Sequence, residues 1–395
     1  MSHARASFKI LIIDLVGLKF DAAGQADCSE VKAHIEAKGG VFHLGPWDGA
    51  ELLDGRLHFY YAPYLSTAAE ILPLTDKGQY DAVIAAATFV PAQSIFNSGG
   101  VRIGAGTANM GSASWGGGSG VGGVAPLMNT PGFNSIATAQ MVFKALLRFR
   151  PDLPLDELHA RVVAGDFDTG RNLREFHTAK LEGQTMAVIG YGNIGRAVAR
   201  IAGAFGMKVQ AYAREKHRAA IEADGHNFAA DILSAMRGAD VMSVHVGLGR
   251  LDAATGRYAN AGLINAEALA ALNVGATVIN FDRGEVVDAA MLGEAMQRGQ
   301  VAHAAIDADL FKDDMTGALT GPMVPYLPLA EAFPRRILLL PHAAADTDHP
   351  SRVAGAKQAV DQIFDCVIFR RVKNLKGELP AGYVDSEPKN GVAQC

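Results

Sequence analysis

Short apolar runs alternate with helix-spaced ones along most of the chain. The run 8–15 (FKILIIDL) is almost continuously apolar, as a strand buried on both faces must be. Residues 29–37 then carry a helical pattern, 41–44 a short strand, 81–85 a further strand and 101–103 another. Strands alternating with helices predict a parallel sheet with helices on its faces. A long apolar helix is expected over 134–149, capped by Asn134 or Ser135 and stopped by Pro151 and Pro154. A second series of strands is expected at 185–189, 209–212, 240–246, 276–280, 301–306 and 337–341. Helices are expected between them at 195–205, 265–272 and 289–297, and a last helix covers 350–369. The segment from Glu378 onward is polar with prolines, and reads as an arm or a frayed tail.

This pattern predicts an α/β protein of two Rossmann-like domains with parallel sheets, the first one discontinuous. Residues 1–135 and 345–395 would form one domain, and 136–344 the other. Length agrees, since 395 residues exceed what one hydrophobic core usually organises. With 49% apolar and 19% charged residues the composition is globular, and a net charge of −5 gives no reason to expect nucleic acid or an anionic membrane as partner. Cys28, Cys366 and Cys395 are too sparse for a thiolate metal site or a disulfide framework, so no metal is expected. The polar stretch 1–8 lacks the apolar core of a signal peptide, and no run is long enough to span a bilayer, so a soluble cytoplasmic protein is expected.

The segment 188–196 (VIGYGNIGR) changes the picture most. Gly190, Gly192 and Gly195 form a GxGxxG fingerprint between an expected strand and an expected helix. The first glycine permits the tight turn, the second lets the backbone approach a pyrophosphate, and the third lets helix and strand pack closely. The N–H groups of Asn193 and Ile194, at the helix start, are free to meet phosphate oxygens. An acidic residue that binds the ribose 2′-hydroxyl is expected after the next strand. Ala213 stands there instead, followed by Arg214, which suits a 2′-phosphate. NADP is therefore favoured over NAD, the alternative being a solvated basic turn whose charge Glu215 offsets.

Three later segments carry candidate chemistry. Arg283 follows the strand 276–280 and could clamp a carboxylate in two-pronged fashion. His342 follows the strand 337–341 and could move the proton when a carbonyl and a hydroxyl interconvert. Asp307, Asp309, Asp313 and Asp314 follow the strand 301–306, and one of them could hold the imidazole. The glycine-rich stretch 104–123 reads either as a flexible surface loop, which could close over the site, or as a backbone cradle for a small anion.

From about 181 to 345, these motifs closely resemble the D-isomer-specific 2-hydroxyacid dehydrogenase family, which includes phosphoglycerate dehydrogenases, D-lactate dehydrogenases and glyoxylate/hydroxypyruvate reductases. The resemblance rests on VIGYGNIGRAVA, the strand ending at His245, AGLINAEAL, VINFDRGEVVDAAML, HAAID and LLPHAA, with MNTPGFNS at 128–135 as a family-like hinge. It implies hydride transfer between NAD(P) and a 2-oxo acid, the partner being a small 2-oxo or 2-hydroxy acid, and a homodimer. It implies Arg283 as the catalytic arginine, also holding substrate, and His342 as acid/base. Ala105, Gly106 and Thr107 would grip the substrate carboxylate. Asp307 would lie near the nicotinamide, with His245, Val246, Asp282 and His342 also close to the cofactor.

Four departures stand out. The glutamate that orients the family's histidine is replaced by Lys312, and Asp313, the nearest acid, is the expected substitute. Asp282 occupies a position that is usually small, and Thr138 replaces an acid. The segment 312–336 is also longer than usual and includes an apolar, proline-rich loop. Two other readings compete with 2-oxo acid reduction: a non-catalytic NAD(P)-binding regulatory homologue, and a dehydrogenase for another donor such as formate or phosphonate.

Overall fold

A computed structural model describes residues 7–15, 18–22, 24–149, 154–176, 178–249, 252, 254–313, 316–342 and 348–386. Asp314, Pro151 and the tail beyond 386, for which expectations were stated above, lie outside the described residues. The chain divides into two compact units, Met1–Asn134 with Ala345–Gln394, and Ser135–Ala344.

The first unit runs β1 (Phe8–Ile12), α1 (Ser29–Ala37), β2 (Val41–Leu44), β3 (Leu57–Tyr61), α2 (Ala68–Thr75), β4 (Ala82–Ala85), β5 (Gly99–Arg102) and β6 (Leu127–Asn129). The second holds α3 (Ser135–Arg148), α4 (Leu155–Val163), α5 (Thr169–Asn172), β7 (Thr185–Ile189), α6 (Asn193–Ala204), β8 (Lys208–Tyr212), α7 (Arg218–Ala223), β9 (Asn227–Ala229), α8 (Ile232–Met236) and β10 (Val241–Val244). It continues with α9 (Ala266–Ala270), β11 (Ala276–Asn280), α10 (Ala289–Gln297), β12 (Val301–Ala308), β13 (Phe311–Lys312), β14 (Leu319–Thr320), α11 (Leu327–Ala332) and β15 (Ile337–Pro341). The chain then returns to the first unit as α12 (His349–Phe369), β16 (Arg371–Val372), β17 (Leu375–Lys376) and β18 (Val384–Asp385).

Each unit is built on a seven-stranded sheet. The first has the order β17-β6-β5-β4-β1-β3-β2, parallel except for β17, and the second the order β15-β12-β11-β10-β7-β8-β9, parallel throughout. Both are covered on two faces, which is why their strands are apolar runs rather than alternating ones. In the first unit α1 and α12 pack one face through Val31, Ile35, Val353, Val360 and Ile363, and Tyr80, Phe96 and Trp115 fill the other. In the second, α3 and α6 cover one face, and α8, α9 and α10 the other. Side-chain caps start the helices where the sequence offers them: Thr67 with Glu70 in a capping box, Asp231, Asn265, Asp288 and Asp348. No helix among the described residues is long and apolar enough to cross a membrane.

Besides the short strands β9, β13, β14, β16, β17 and β18, two strands of the first sheet were not anticipated. LHFYY at β3 is fully buried but interrupted by His58, and the three-residue β6 is too short to show a period. The larger correction concerns the glycine-rich stretch, which is closely packed rather than an open loop. A Cβ on Gly116 would lie 1.9 Å from the Val121 carbonyl oxygen, one on Gly123 2.2 Å from that of Ser114, and one on Gly120 2.2 Å from that of Lys376. Glycine here permits backbone to pack on backbone. Trp115 anchors the stretch, fully buried, stacked on Phe96 at 5.8 Å and donating from Nε1 to the Met110 carbonyl at 2.9 Å.

Candidate active site

In the second unit the strand order reverses between β7 and β10, and ligand crevices of parallel sheets open beyond the carboxyl ends at such a point. The glycine turn lies there. Gly190 has φ 104°, and a Cβ on it would be 2.3 Å from the His245 carbonyl oxygen and 2.8 Å from Val246. A Cβ on Gly195 would be 1.9 Å from the Gly190 carbonyl oxygen. Protein packing therefore demands both glycines. Gly192 is different, because a Cβ there would meet nothing within 4 Å and its φ of −80° suits any residue. Its open side has room for a pyrophosphate, and as the N-cap of α6 it has no side chain to take the first-turn N–H groups around Asn193 and Ile194.

His245 lies against this turn. Burial pulls its imidazole down to about 3, so the ring is neutral at ordinary pH. Its Nε2 meets the Ser243 hydroxyl at 2.8 Å, whereas its buried Nδ1 has no partner. An orphaned buried ring nitrogen beside the glycine turn fits a polar ligand there.

At the end of β8, Ala213 is buried and Arg214 leads into a short 3-10 turn. The carboxylate of the neighbouring Glu215 accepts from Arg218 Nε at 2.6 Å. His217 is held below its usual range by burial first and then by Lys216, Arg214 and Arg196, so these cations converge on one surface. A doubly charged anion would be drawn to that surface.

The acid/base candidates lie further along the same sheet. In the β12–β15 register Asp307 pairs with Leu340 and Ala308 with Pro341, and the His342 N–H donates to the Ala308 carbonyl at 3.0 Å. His342 is thus two residues beyond the partner of Asp307, and both side chains leave the same face. The rings and carboxylates meet accordingly: His342 Nδ1 lies 2.6 Å from Asp307 Oδ1. An ionised carboxylate can only accept, so Nδ1 carries the hydrogen and Nε2 is left to gain or lose the proton.

This arrangement corrects the expectation for Asp313. Asp313 sits on the β13–β14 hairpin, where its Oδ1 takes the N–H of Thr316 at 2.7 Å and its hydroxyl at 2.8 Å. The carboxylate on the ring is that of Asp307, already on β12, while Lys312 is exposed on the hairpin.

Arg283 follows β11 on a braced turn. The Asn280 Nδ2 donates to the Arg283 carbonyl at 2.8 Å, and Asn280 Oδ1 accepts from the Asp282 N–H at 3.3 Å. Arg283 Nη1 is 3.7 Å from Asp309 Oδ2. The long segment after β12 supports this turn as well. Tyr326, fully buried, donates to the carbonyls of Gly284 and Val287 at 2.7 Å each, and Pro322 packs 3.2 Å from where a Gly284 Cβ would sit. Sequence reasoning missed Tyr326, whose only signal was an aromatic residue among the prolines of that loop. Asp282, next to Arg283, has its carboxyl pushed up to about 6 by burial, which outweighs the attraction of Arg283 and His342.

The remaining expected residues lie in the first unit, beyond β5. The Thr107 hydroxyl donates to the Gly118 carbonyl at 2.7 Å, tying the turn to the glycine-rich stretch, and the Gly104 N–H donates to Thr130 Oγ1 at 2.9 Å. Among the described residues none accepts from the N–H groups of Ala105, Gly106 or Thr107. Three neighbouring free N–H groups suit an anion.

Residues 154–344 match the family model described as D-isomer specific 2-hydroxyacid dehydrogenase, NAD binding domain. Residues 154–344 thus carry the NAD-binding domain of the D-isomer specific 2-hydroxyacid dehydrogenase family. The chain is therefore of the NAD(P)-dependent oxidoreductase type of that family. A glyoxylate reductase of Thermococcus litoralis is 28% identical over 262 residues, covering 66% of this chain and 70% of that protein. A D-3-phosphoglycerate dehydrogenase of Methanocaldococcus jannaschii is 26% identical over 260 residues, covering 66% of this chain but 43% of its own length. Among solved structures, an NAD+-bound 3-phosphoglycerate dehydrogenase of Entamoeba histolytica superposes with a TM-score of 0.62 at 18% identity, covering 95% of this chain and 100% of that one. A D-lactate dehydrogenase of Treponema pallidum gives 0.63 at 18%, covering 91% and 97%. These two show a shared fold.

Asp282 carries a prediction about stability. Its folded-state value lies above its usual 3.8, so the ionised form is the one the fold disfavours. The resulting cost is absent below about pH 4 and complete above about pH 6. Asp282→Asn should therefore raise stability at pH 8 by about 1–3 kcal/mol relative to its effect at pH 4. Denaturant unfolding at the two pH values measures this, and an equal effect at both would refute it.

Proposed function

We propose that the protein reduces a 2-oxo acid to a D-2-hydroxy acid, and catalyses the reverse oxidation, with NADP preferred over NAD. The observation that carries this reading is the His342–Asp307 pair with Nε2 open, close to Arg283 at the end of the adjoining strand. The reduced nicotinamide cofactor supplies the hydride when bound. Arg283 binds the substrate carboxylate and draws electron density from the carbonyl. His342 Nε2, in its protonated form, gives a proton to the carbonyl oxygen as it becomes a hydroxyl, and takes it back in the oxidation. Asp307 is a positioning residue, fixing the tautomer and stabilising the imidazolium.

Gly190, Gly192 and the α6 N-terminus would hold the pyrophosphate, Arg214 the 2′-phosphate, and His245 and Val246 would line the same cleft. In this reading the second unit is the dinucleotide domain. The first unit binds substrate, with Ala105, Gly106 and Thr107 as its anion cradle. A regulatory, non-catalytic homologue was suggested by the loss of the glutamate at Lys312. That argument weakens once Asp307 occupies Nδ1.

A homodimer is part of the proposal. No residue of α4 is buried, and Leu155, Val162 and Val163 lie exposed on it, while Leu147, Leu155 and Phe205 line an open apolar groove. A second copy of the chain would cover this face.

Three measurements test these statements. His342→Ala should lower kcat by roughly 10²–10⁴-fold on any accepted 2-oxo acid while cofactor binding, followed by nicotinamide fluorescence, persists. Unchanged turnover would remove the histidine from the mechanism. Arg214→Ala should weaken NADP by about 10–100-fold and NAD far less; equal losses would reject the 2′-phosphate assignment. Light scattering should give a dimer mass that Leu155→Asp reduces, and a monomeric wild type would end the dimer proposal.

A further inference from the structure

One hydrogen-bonded chain of ionisable groups in the first unit has no part in the chemistry above. It joins Asp54, His58 and His43. His58, on β3, is 4% exposed, too deep for water to replace a lost partner. Its Nε2 lies 2.9 Å from Asp54 Oδ1, and its Nδ1 lies 3.0 Å from His43 Nε2 on β2. The His43 ring is stacked on Tyr60 at 4.5 Å and on His58 at 5.3 Å. Asp54 is fixed as well. Its Oδ1 accepts from the Ser7 hydroxyl at 2.8 Å and the Arg56 N–H at 3.1 Å, and its Oδ2 from Arg56 Nε at 2.6 Å. The His58 hydrogen bond, with those of Ser7 and Arg56, outweighs burial and holds the Asp54 carboxyl well below the usual range.

These contacts decide where the hydrogens lie. An ionised carboxylate only accepts, so His58 Nε2 carries a hydrogen. The other nitrogen of a neutral imidazole is then an acceptor, so the hydrogen between the two rings sits on His43 Nε2. His43 Nδ1 is left as a bare acceptor, without a partner among the described residues and not enclosed. A first proton therefore enters without breaking the chain. It binds His43 Nδ1, the hydrogen of His43 Nε2 passes to His58 Nδ1, and the positive charge rests on His58 against the Asp54 carboxylate. A second proton has no such place. Both nitrogens of the 3.0 Å contact would then carry hydrogens, and two cations would face each other.

We propose that the Asp54–His58–His43 chain is an acid-sensitive latch: with at most one added proton it holds β2 and the segment 45–56 on the first sheet, and a second proton releases them. The inference uses no residue of the candidate active site and does not depend on the dehydrogenase reading. β2 is an edge strand whose only strand partner is β3, so the contact between the two histidines bears directly on its hold. The segment after it is tied down by few groups: the Trp47 N–H donates to Tyr80 Oη at 2.8 Å, and Lys9 Nζ lies 3.6 Å over the Trp47 ring. The groups facing the histidines are Asp48, Asp54 and Arg56 from 45–56, Lys9 beside His58 on β1, and Tyr60 with Tyr80. Asp54 and Arg56 already pair with each other. Burial first, and then His58, holds His43 below its usual 6.5. A histidine disfavoured as a cation in the fold contributes fully above its unfolded value, and that contribution is lost as pH falls through the folded one.

The test follows the full chain from about pH 8 to about pH 4 by nitrogen NMR of the histidine rings and by amide hydrogen exchange. At pH 8 His43 should carry its hydrogen on Nε2. On acidification His43 Nδ1 should gain a hydrogen and Nε2 lose one, while His58 becomes the cation. At lower pH the protection factors of β2 and 45–56 should fall by about tenfold or more relative to β1 and β4. His43→Gln can still donate to His58 Nδ1 but takes up no proton, so its β2 protection should hardly respond to pH. Asp54→Asn removes the counter-charge of His58 and should move the release to higher pH. A hydrogen on His43 Nδ1 at pH 8, two rings that titrate independently, or a fall in β2 protection that His43→Gln shows equally would each overturn the proposal. If His43→Gln does not fold, the wild-type tautomers and protection factors decide the matter.

Discussion

The parallel register of the second sheet is the constraint on which the candidate site depends. β7, β10, β11, β12 and β15 run the same way, so the glycine turn, His245, Arg283, Asp307 and His342 all emerge at one edge. Close backbone contacts hold that edge: the Gly190 turn presses on the His245 carbonyl, and Gly195 presses on Gly190. A shift of one residue between β12 and β15 would turn His342 to the other face and part it from Asp307. The chemistry is thus a property of strand alignment before it is a property of any one side chain.

Much of this could be read in the sequence because it is local. GxGxxG, a strand ending in histidine, and an arginine just past a strand are short patterns, each with a physical reason for its spacing. Continuous apolar runs gave most strands, because a sheet covered on both faces needs them. The partner of His342 was harder to read. Counting along the chain led to Asp313, whereas the choice is made across strands, where Asp307 is two residues from the histidine's row. Tyr326 was hidden for the same reason, since its hydrogen bonds reach back to Gly284 and Val287.

The glycine-rich stretch shows composition pointing the wrong way. Many glycines suggest freedom, but here several are required because a carbonyl occupies the place of a side chain. Their crowding fixes Thr107 through Gly118 and so shapes the turn whose N–H groups remain available. Rigidity in one segment prepares the neighbouring turn for a ligand.

The antiparallel strand β17 completes the first sheet by pairing with β6, and Glu378 donates to Gly120 beside it. β6 and Gly120 both precede the entire second unit in the chain. During synthesis the first unit must therefore wait, with its β6 edge open and α12 missing from one face, until the second unit has emerged. Residues 135–344 need nothing from either end to close their own sheet. The nucleotide unit is thus the part able to fold first, and the first unit assembles around chain ends that the folded insert has already brought into position.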